Sequence, residues 1–323
     1  MIVAALLIVS VFLAMNMGIS GFSVSFAPSF GSNILNKSRA ALLYGICVIA
    51  GGCLVGPRVV ETLVNKISAA PINPISGLII LLACAVTMFS SNLLKVPQST
   101  SFVTVASFLG AGLYYGKVNW FTIGRIFAFA MVFSAVSFAI TILIKRAIYP
   151  PRQGNLRLYE NVFIHKEKFR KFIIFHDMYA GFSIGTNNVA NVVAPLAGTL
   201  GLSVPVWLLL MSPLFGAGAF FGGERVIRSV SKEIVPVGEL SASIVSFITA
   251  TFVLIASFLG LPAPYVQFTT FSLLGISCVK DGFRSTSEKS VVKRILWVWV
   301  LIPIFTVLLS LGLHILYYKV LKG

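Results

Sequence analysis

Acidic residues are scarce in this chain. Nine Asp and Glu stand against 25 Lys and Arg in 323 residues, and charged residues together make up 11%, against about 25% in a soluble domain. There are three histidines, and the four cysteines (Cys47, Cys53, Cys84, Cys278) lie in apolar stretches without metal-ligand spacing. No metal cluster, nucleophile–base pair or paired carboxylates stand out, which argues against an enzyme and implies no metal and no cofactor. The cysteines read as small packing residues. What the chain has instead is apolar surface. Hydrophobic residues make up 57% and the mean hydropathy is +0.95, more than a soluble fold can hide. The reading is an all-α, polytopic membrane protein whose first partner is the lipid bilayer.

The net charge of +16 would suggest nucleic acid in a soluble chain. Here the basic residues sit between apolar runs, so the charge reads as topology and no nucleic acid is expected. Residues 1–36, 67–94, 96–116, 126–144, 178–223, 240–279 and 295–318 contain no Asp, Glu, Lys or Arg. A spanning helix needs about 20 apolar residues, so 178–223 must hold more than one element. The start has no basic n-region of a signal peptide and reads as the first helix. Loops 145–172 and 280–294 are the most basic, and the positive-inside rule places both in the cytoplasm. The expected location is the cell (inner) membrane, multi-pass.

The two halves repeat. Gly18 and Gly185, Pro28 and Pro195, Gly31 and Gly198, and Gly51 and Gly218 share one offset (185 − 18 = 167). Farther on, Pro97 pairs with Pro262 and Gly110 with Gly275, at a slightly shorter offset (262 − 97 = 165). The organisation expected is a first membrane repeat over 1–143, a basic loop over 144–172 and a second repeat over 173–323. Counting basic loops gives an odd number of crossings per half, which inverts the second repeat. Inverted repeats around a mid-membrane site characterise secondary transporters.

The most irregular apolar stretches occupy matching positions. One runs Asn16-Met17-Gly18-Ile19-Ser20-Gly21-Phe22-Ser23 toward Pro28; the other runs Ser183-Ile184-Gly185-Thr186-Asn187-Asn188-Val189-Ala190-Asn191 toward Pro195. Gly, Ser and Asn at these places are expected to break or re-enter the helices, exposing free N–H groups that bind anions. The alternative is close packing of small residues between helices. A third polar element, Pro97-Gln98-Ser99-Thr100-Ser101, either caps a helix or faces a ligand. The expected site is framed by Gly18, Ser20, Gly21, Gly185, Thr186, Asn187 and Asn188, with Asn16, Asn191, Ser99, Thr100 and Ser101 behind them.

These residues resemble the inorganic phosphate transporter (PiT) family, which carries a duplicated G-A-N-D-V-A-N signature and a duplicated G-L-P-x-S-T-T-H tract. Gly185 to Asn191 is similar to the second signature, and Ala14 to Gly21 looks like a decayed first one. Gly260-Leu261-Pro262 and Pro97 to Ser101 match the tracts. The resemblance implies a duplicated secondary transporter with its oxyanion site between signatures and tracts. Both signature aspartates are missing, with Gly21 and Asn188 in their places, and the tract histidines are replaced by Phe102 and Gln267. In the family the Asn-Asp pairs contribute to phosphate and sodium binding. A site left with N–H and O–H donors suits sulfate, which only accepts hydrogen bonds, over protonated phosphate, which also donates. The Met15 to Gly21 pattern is also similar to the family's sulfate-permease branch. The function expected is therefore ion-coupled symport of sulfate, with phosphate as the alternative cargo and an anion channel as the alternative class. A proton is favoured over sodium for coupling. Asp177, Glu224 and Glu61 are the carboxylates to consider, each set against an interfacial role beside a nearby base. A homodimer is left open.

Overall fold

The computed structural model describes residues 1–68, 72–93, 98–197, 199–222 and 237–321, and every regular element among them is helical. The first half holds α1 (Ile2–Ser25), α2 (Ala27–Gly31), α3 (Lys37–Glu61), α4 (Pro74–Leu93), α5 (Thr100–Tyr115) and α6 (Trp120–Ile148). A short α7 (Leu156–Ile164) lies in the basic loop. The second half holds α8 (Lys166–Val193), a 3-10 turn (Ala194–Leu196), α9 (Val204–Phe221), α10 (Glu239–Phe258) and α11 (Tyr265–Asp281). It closes with α12 (Phe283–Glu288) and α13 (Ser290–Ile315). Among the described residues, seven helices are long and apolar enough to cross a membrane: α1, α3, α4, α6, α9, α10 and α13. The apolar run 178–223 holds the end of α8 and all of α9, as its length requires.

The helices obey the rules of a medium without water. At loop ends a side chain caps the first turn: Asn36 Oδ1 accepts from Arg39 N–H at 3.0 Å, Asn73 Oδ1 from Ser76 N–H at 2.9 Å, and Asn119 Oδ1 from Thr122 N–H at 3.1 Å. Within the spans, hydroxyls turn back on their own helix. Ser10, Ser91 and Ser107, all buried, each donate to the carbonyl four residues earlier, which satisfies these hydroxyls within their own helices.

The same back-bonding corrects one expectation from the sequence. Neither irregular stretch breaks its helix. α1 runs unbroken through Asn16 to Ser23, and α8 through Ser183 to Asn191. Asn16 Nδ2 donates to Phe12 O at 2.8 Å, Ser23 to Ile19 O at 2.7 Å, Ser25 to Gly21 O at 2.8 Å and Thr186 to Ser183 O at 2.7 Å. Polar side chains satisfied inside the helix do not interrupt it. The breaks fall later, at Phe26 between α1 and α2 and at the turn 194–196, where Pro28 and Pro195 enter a first turn. Proline lacks the N–H that a continuous helix would need.

The halves interlock. α3 packs on α8 and α1 on α9, while α6 packs on α11 and α5 on α13. At the centre the rings of Phe22, Phe26 and Tyr44 are fully buried and lie 5.7 to 5.9 Å apart. Outside, α6 and α13 expose Phe127, Met131, Leu143, Trp297, Leu301 and Leu308. An apolar belt of that size belongs against lipid or another apolar surface.

Candidate functional site

The geometry converges on Asn187, in the last two turns of α8 and fully buried. Its Nδ2 donates to Ser257 Oγ at 3.0 Å and to Leu261 O at 3.1 Å. Its Oδ1 accepts from Ser101 Oγ at 2.9 Å and from Ala263 N–H at 3.0 Å. An Asn amide offers two donors and two lone pairs, so all four positions are used inside the protein. The chain after α10 is built to meet it. Gly260 takes φ +72 and ends the helix in a left-handed turn. Pro262 and Pro264 then flank Ala263, holding the carbonyl of Leu261 and the N–H of Ala263 out of any helix.

The tract in the first half meets the same hub. Ser99 caps α5 and accepts from Phe102 N–H at 3.5 Å. Asn191, one turn beyond Asn187, donates from Nδ2 to Ser101 Oγ at 3.1 Å and to Thr100 Oγ1 at 3.4 Å. Thr186 Oγ1 lies 2.9 Å from Ser257 Oγ. One asparagine face of α8 therefore ties the start of α5 to the end of α10. Several buried polar atoms on the elements that meet here have no partner: both amide atoms of Gln98, both of Gln267, Asn188 Oδ1 and Asn191 Oδ1. None of these side chains carries charge. Unsatisfied polar groups at such density are costly and mark a place where a ligand or water completes the bonding.

The predicted residues divide into four groups. Thr186, Asn187, Asn191, Thr100 and Ser101 come together at the hub, with Ser99 capping the α5 that enters it and Asn188 buried next to Asn187 in the chain. Gly18 and Gly185 do not line it; they pack helices. A β-carbon on Gly18 would collide with the main chain of Phe215 in α9, and one on Gly185 with that of Val48 in α3. Close packing of small residues is the reading that holds at these two positions. Ser20 and Asn16 line a small cavity of about 40 Å³ with Ala85, Met88 and Phe89 of α4, room for roughly three waters. Gly21 lies under the hydroxyl of Tyr44, which occupies the place a β-carbon would take. The first signature thus stays out of the hub in this conformation.

Among the coupling carboxylates, Glu61 is half exposed and pairs with Lys66 at 2.9 Å, an interfacial arrangement. Glu224 lies outside the described residues. Asp177 is fully buried, and its Oδ2 accepts from Ser29 N–H, at the start of α2, at 2.9 Å. At the end of α11, the Lys289 ammonium bonds Asp281 at 2.7 Å and holds that carboxyl below the usual carboxylate range.

Ser257, Leu261 O and Ala263 N–H were not legible as functional from the sequence. A serine in an apolar helix and two backbone groups beside prolines carry no distinguishing pattern. The tract motif was the only pointer to that neighbourhood.

Known proteins agree with this architecture. The sequence model of the phosphate transporter family matches residues 17–310. A sulfate permease of Bacillus subtilis (CysP) is 30% identical, covering 98% of this chain and 88% of that protein. A putative phosphate permease of Methanocaldococcus jannaschii is 25% identical, covering 94% of each. Among solved structures, a sodium-dependent phosphate transporter superposes with a TM-score of 0.73 at 22% identity, over 98% of this chain and 99% of the other.

Proposed function

The chain belongs to the phosphate transporter family, and from that membership we propose that it is a secondary active transporter of a tetrahedral inorganic oxyanion, sulfate favoured, driven by a coupled proton. The observation that carries the cargo reading is the chemistry of the hub. Asn187 and Asn191 gather Ser101, Thr100 and the 261–263 turn. Gln98, Gln267 and Asn188 keep unpartnered amide atoms, and none of these side chains is a carboxylate. The open donors are the amide nitrogens of Gln98 and Gln267. With the helix dipole at the start of α5 they suit an anion. The unpartnered oxygens of Gln98, Gln267, Asn188 and Asn191 would suit the proton of phosphate, so the preference for sulfate rests on the missing carboxylates. The similarity to a protein named a sulfate permease supports the same choice, while relatives named phosphate permeases make phosphate the alternative to test against.

We read the halves as inverted repeats, with α1 and α8, α3 and α9, α5 and α11, and α6 and α13 as mates. The exchanged pairings α1–α9 with α3–α8, and α5–α13 with α6–α11, support this reading. Alternating access would then come from rocking one set of helices against the other around the hub.

The test is uptake of radiolabelled sulfate and phosphate into proteoliposomes with imposed proton or sodium gradients. Concentrative sulfate uptake that collapses with a protonophore is expected. Phosphate uptake driven by sodium, with sulfate ignored, would overturn the cargo and coupling together. Passive flux that merely follows the electrochemical gradient would make the protein a channel.

A further inference from the structure

A second set of buried polar atoms lies away from the hub. Asp177 Oδ1, Ser29 Oγ, Tyr44 Oη, Ser246 Oγ and Tyr265 Oη are all sealed from solvent and make no hydrogen bond of ordinary geometry, although the Ser29 side chain lies within reach of Asp177 and that of Ser246 within reach of Tyr265. They come from five helices: α8, α2, α3, α10 and α11. Asp177 is held by the amide of Ser29. Tyr265 lies within electrostatic reach of Asp177 and Tyr44, and beside Ser246. The Tyr44 hydroxyl in turn covers Gly21, and its ring borders Gly181, one turn before the second signature.

The groups facing Asp177 are hydroxyls and one amide. From α2 there is Ser29, from α11 Tyr265, and beyond it Tyr44 of α3 and Ser246 of α10. On its own helix, His176 is engaged elsewhere: Nδ1 lies 2.8 Å from Phe172 O, and the ring packs at a tilt against Phe172 and Phe247. Among the described residues no Lys, Arg or His pairs with Asp177. A carboxylate sealed in such surroundings is expensive unless neutralised. The neutral acid fits them. Oδ2 then acts as the carbonyl oxygen that accepts the Ser29 N–H, and Oδ1 carries a proton toward the surrounding hydroxyls.

We propose that Asp177 is the group that carries the coupling proton, with the hydroxyls of Ser29, Tyr44, Ser246 and Tyr265 as its relay. This deepens the proposed function and rests on the transport reading. An O–H bond forms at Asp177 when a proton arrives from water on the loading side. That bond breaks to water on the other side, and nothing else is consumed. In the sealed state seen here the proton cannot leave. It exchanges only when the helices around it part, which ties proton access to the movement that carries the anion. The bond between Asp177 and Ser29 also joins the first chain break to the second half, so loss of the proton and release of α2 are set to occur together.

The experiment compares two modes of sulfate transport in proteoliposomes. In exchange, labelled sulfate trades with internal sulfate and no net proton movement is needed. In gradient-driven uptake a proton gradient supplies the work. For Asp177→Asn, exchange is expected to persist while gradient-driven accumulation is lost. Accumulation at the wild-type level would overturn the proposal. Should Asp177→Asn lose both modes, Tyr265→Phe decides, because it keeps the ring and removes only the hydroxyl. A shift in the pH at which its uptake is half-maximal supports the relay, and an unmoved pH profile overturns it. Sodium-driven, proton-independent uptake by the wild type overturns the proton site while leaving the transporter standing. Wild-type protein that exchanges neither sulfate nor phosphate would remove the transport reading and this inference with it.

Discussion

Gly218 of α9 lies against the main chain of Met15 in α1 so closely that a β-carbon would overlap the Met15 carbonyl. Gly51 of α3 makes the same contact with the main chain of Phe182 in α8. Both residues of one pair stand 167 positions from those of the other (218 − 51 = 167; 182 − 15 = 167). The contacts that hold α1 to α9 and α3 to α8 are therefore the same contact made twice. Replacing either glycine with valine is expected to destabilise the protein by more than the ~1–3 kcal/mol typical of overpacking, because backbone must move. Thermal unfolding in detergent would check this, with both single variants losing monodispersity or several degrees of melting temperature.

Asn187 and Asn188 should separate under mutation. Asn187→Leu strands Leu261 O and Ala263 N–H and removes one bond each from Ser101 and Ser257, which keep Asn191 and Val253 O as partners, at about 1–3 kcal/mol for each group left buried and unsatisfied. It should lower both stability and uptake. Asn188 Oδ1 has no partner to strand, so Asn188→Leu should abolish uptake with little change in melting temperature. Paired uptake and unfolding measurements distinguish the two. Full uptake in Asn188→Leu would remove that residue from the site.

Asn188→Asp returns a carboxylate to the family's second signature position. It should repel fully ionised sulfate and accept a hydrogen bond from protonated phosphate, moving the preference toward phosphate by about tenfold for every 1.4 kcal/mol of discrimination. Competition of unlabelled phosphate against labelled sulfate reads the ratio, and an unchanged ratio would break the link between donor inventory and cargo.

The first signature cannot be restored the same way. The Tyr44 hydroxyl fills the space over Gly21, so Gly21→Ala should reduce folded yield, and Tyr44→Phe in the same chain should recover part of it. Size-exclusion profiles of the single and double variants test this. Additive losses would mean that the two residues do not compete for one space.

Asp281 supplies a prediction outside the spans. Its carboxyl is held below its ordinary value by the Lys289 ammonium, so the pair's contribution is present above the unfolded carboxylate value, about 3.9, and fades as pH falls through the lowered folded one. Lys289→Met should bring the Asp281 titration back toward that ordinary value. Carboxyl NMR of the protein in nanodiscs can follow it.

Much of this arrangement was legible in the residues. Apolar runs placed the spans, and the repeat offset paired the glycines that pack. The hub was half legible: Asn187, Asn191, Thr100 and Ser101 stood out as polar groups in apolar runs, and the structure joins them. The helix breaks were misplaced because Ser23, Ser25 and Thr186 bond to their own helix carbonyls, an option that composition does not reveal. Pro28 and Pro195 marked the breaks all along. Tyr44 and Tyr265 could not be found from the sequence, since a tyrosine in an apolar run looks like any other core ring.

Every bond that Asn187 makes is uncharged. A fastening of this kind is indifferent to ionic strength, which loosens contacts between charges. What undoes it is competition for hydrogen bonds. An anion arriving at the start of α5 is rich in acceptors and would contest those same donors, so the cargo itself is suited to draw the bolt.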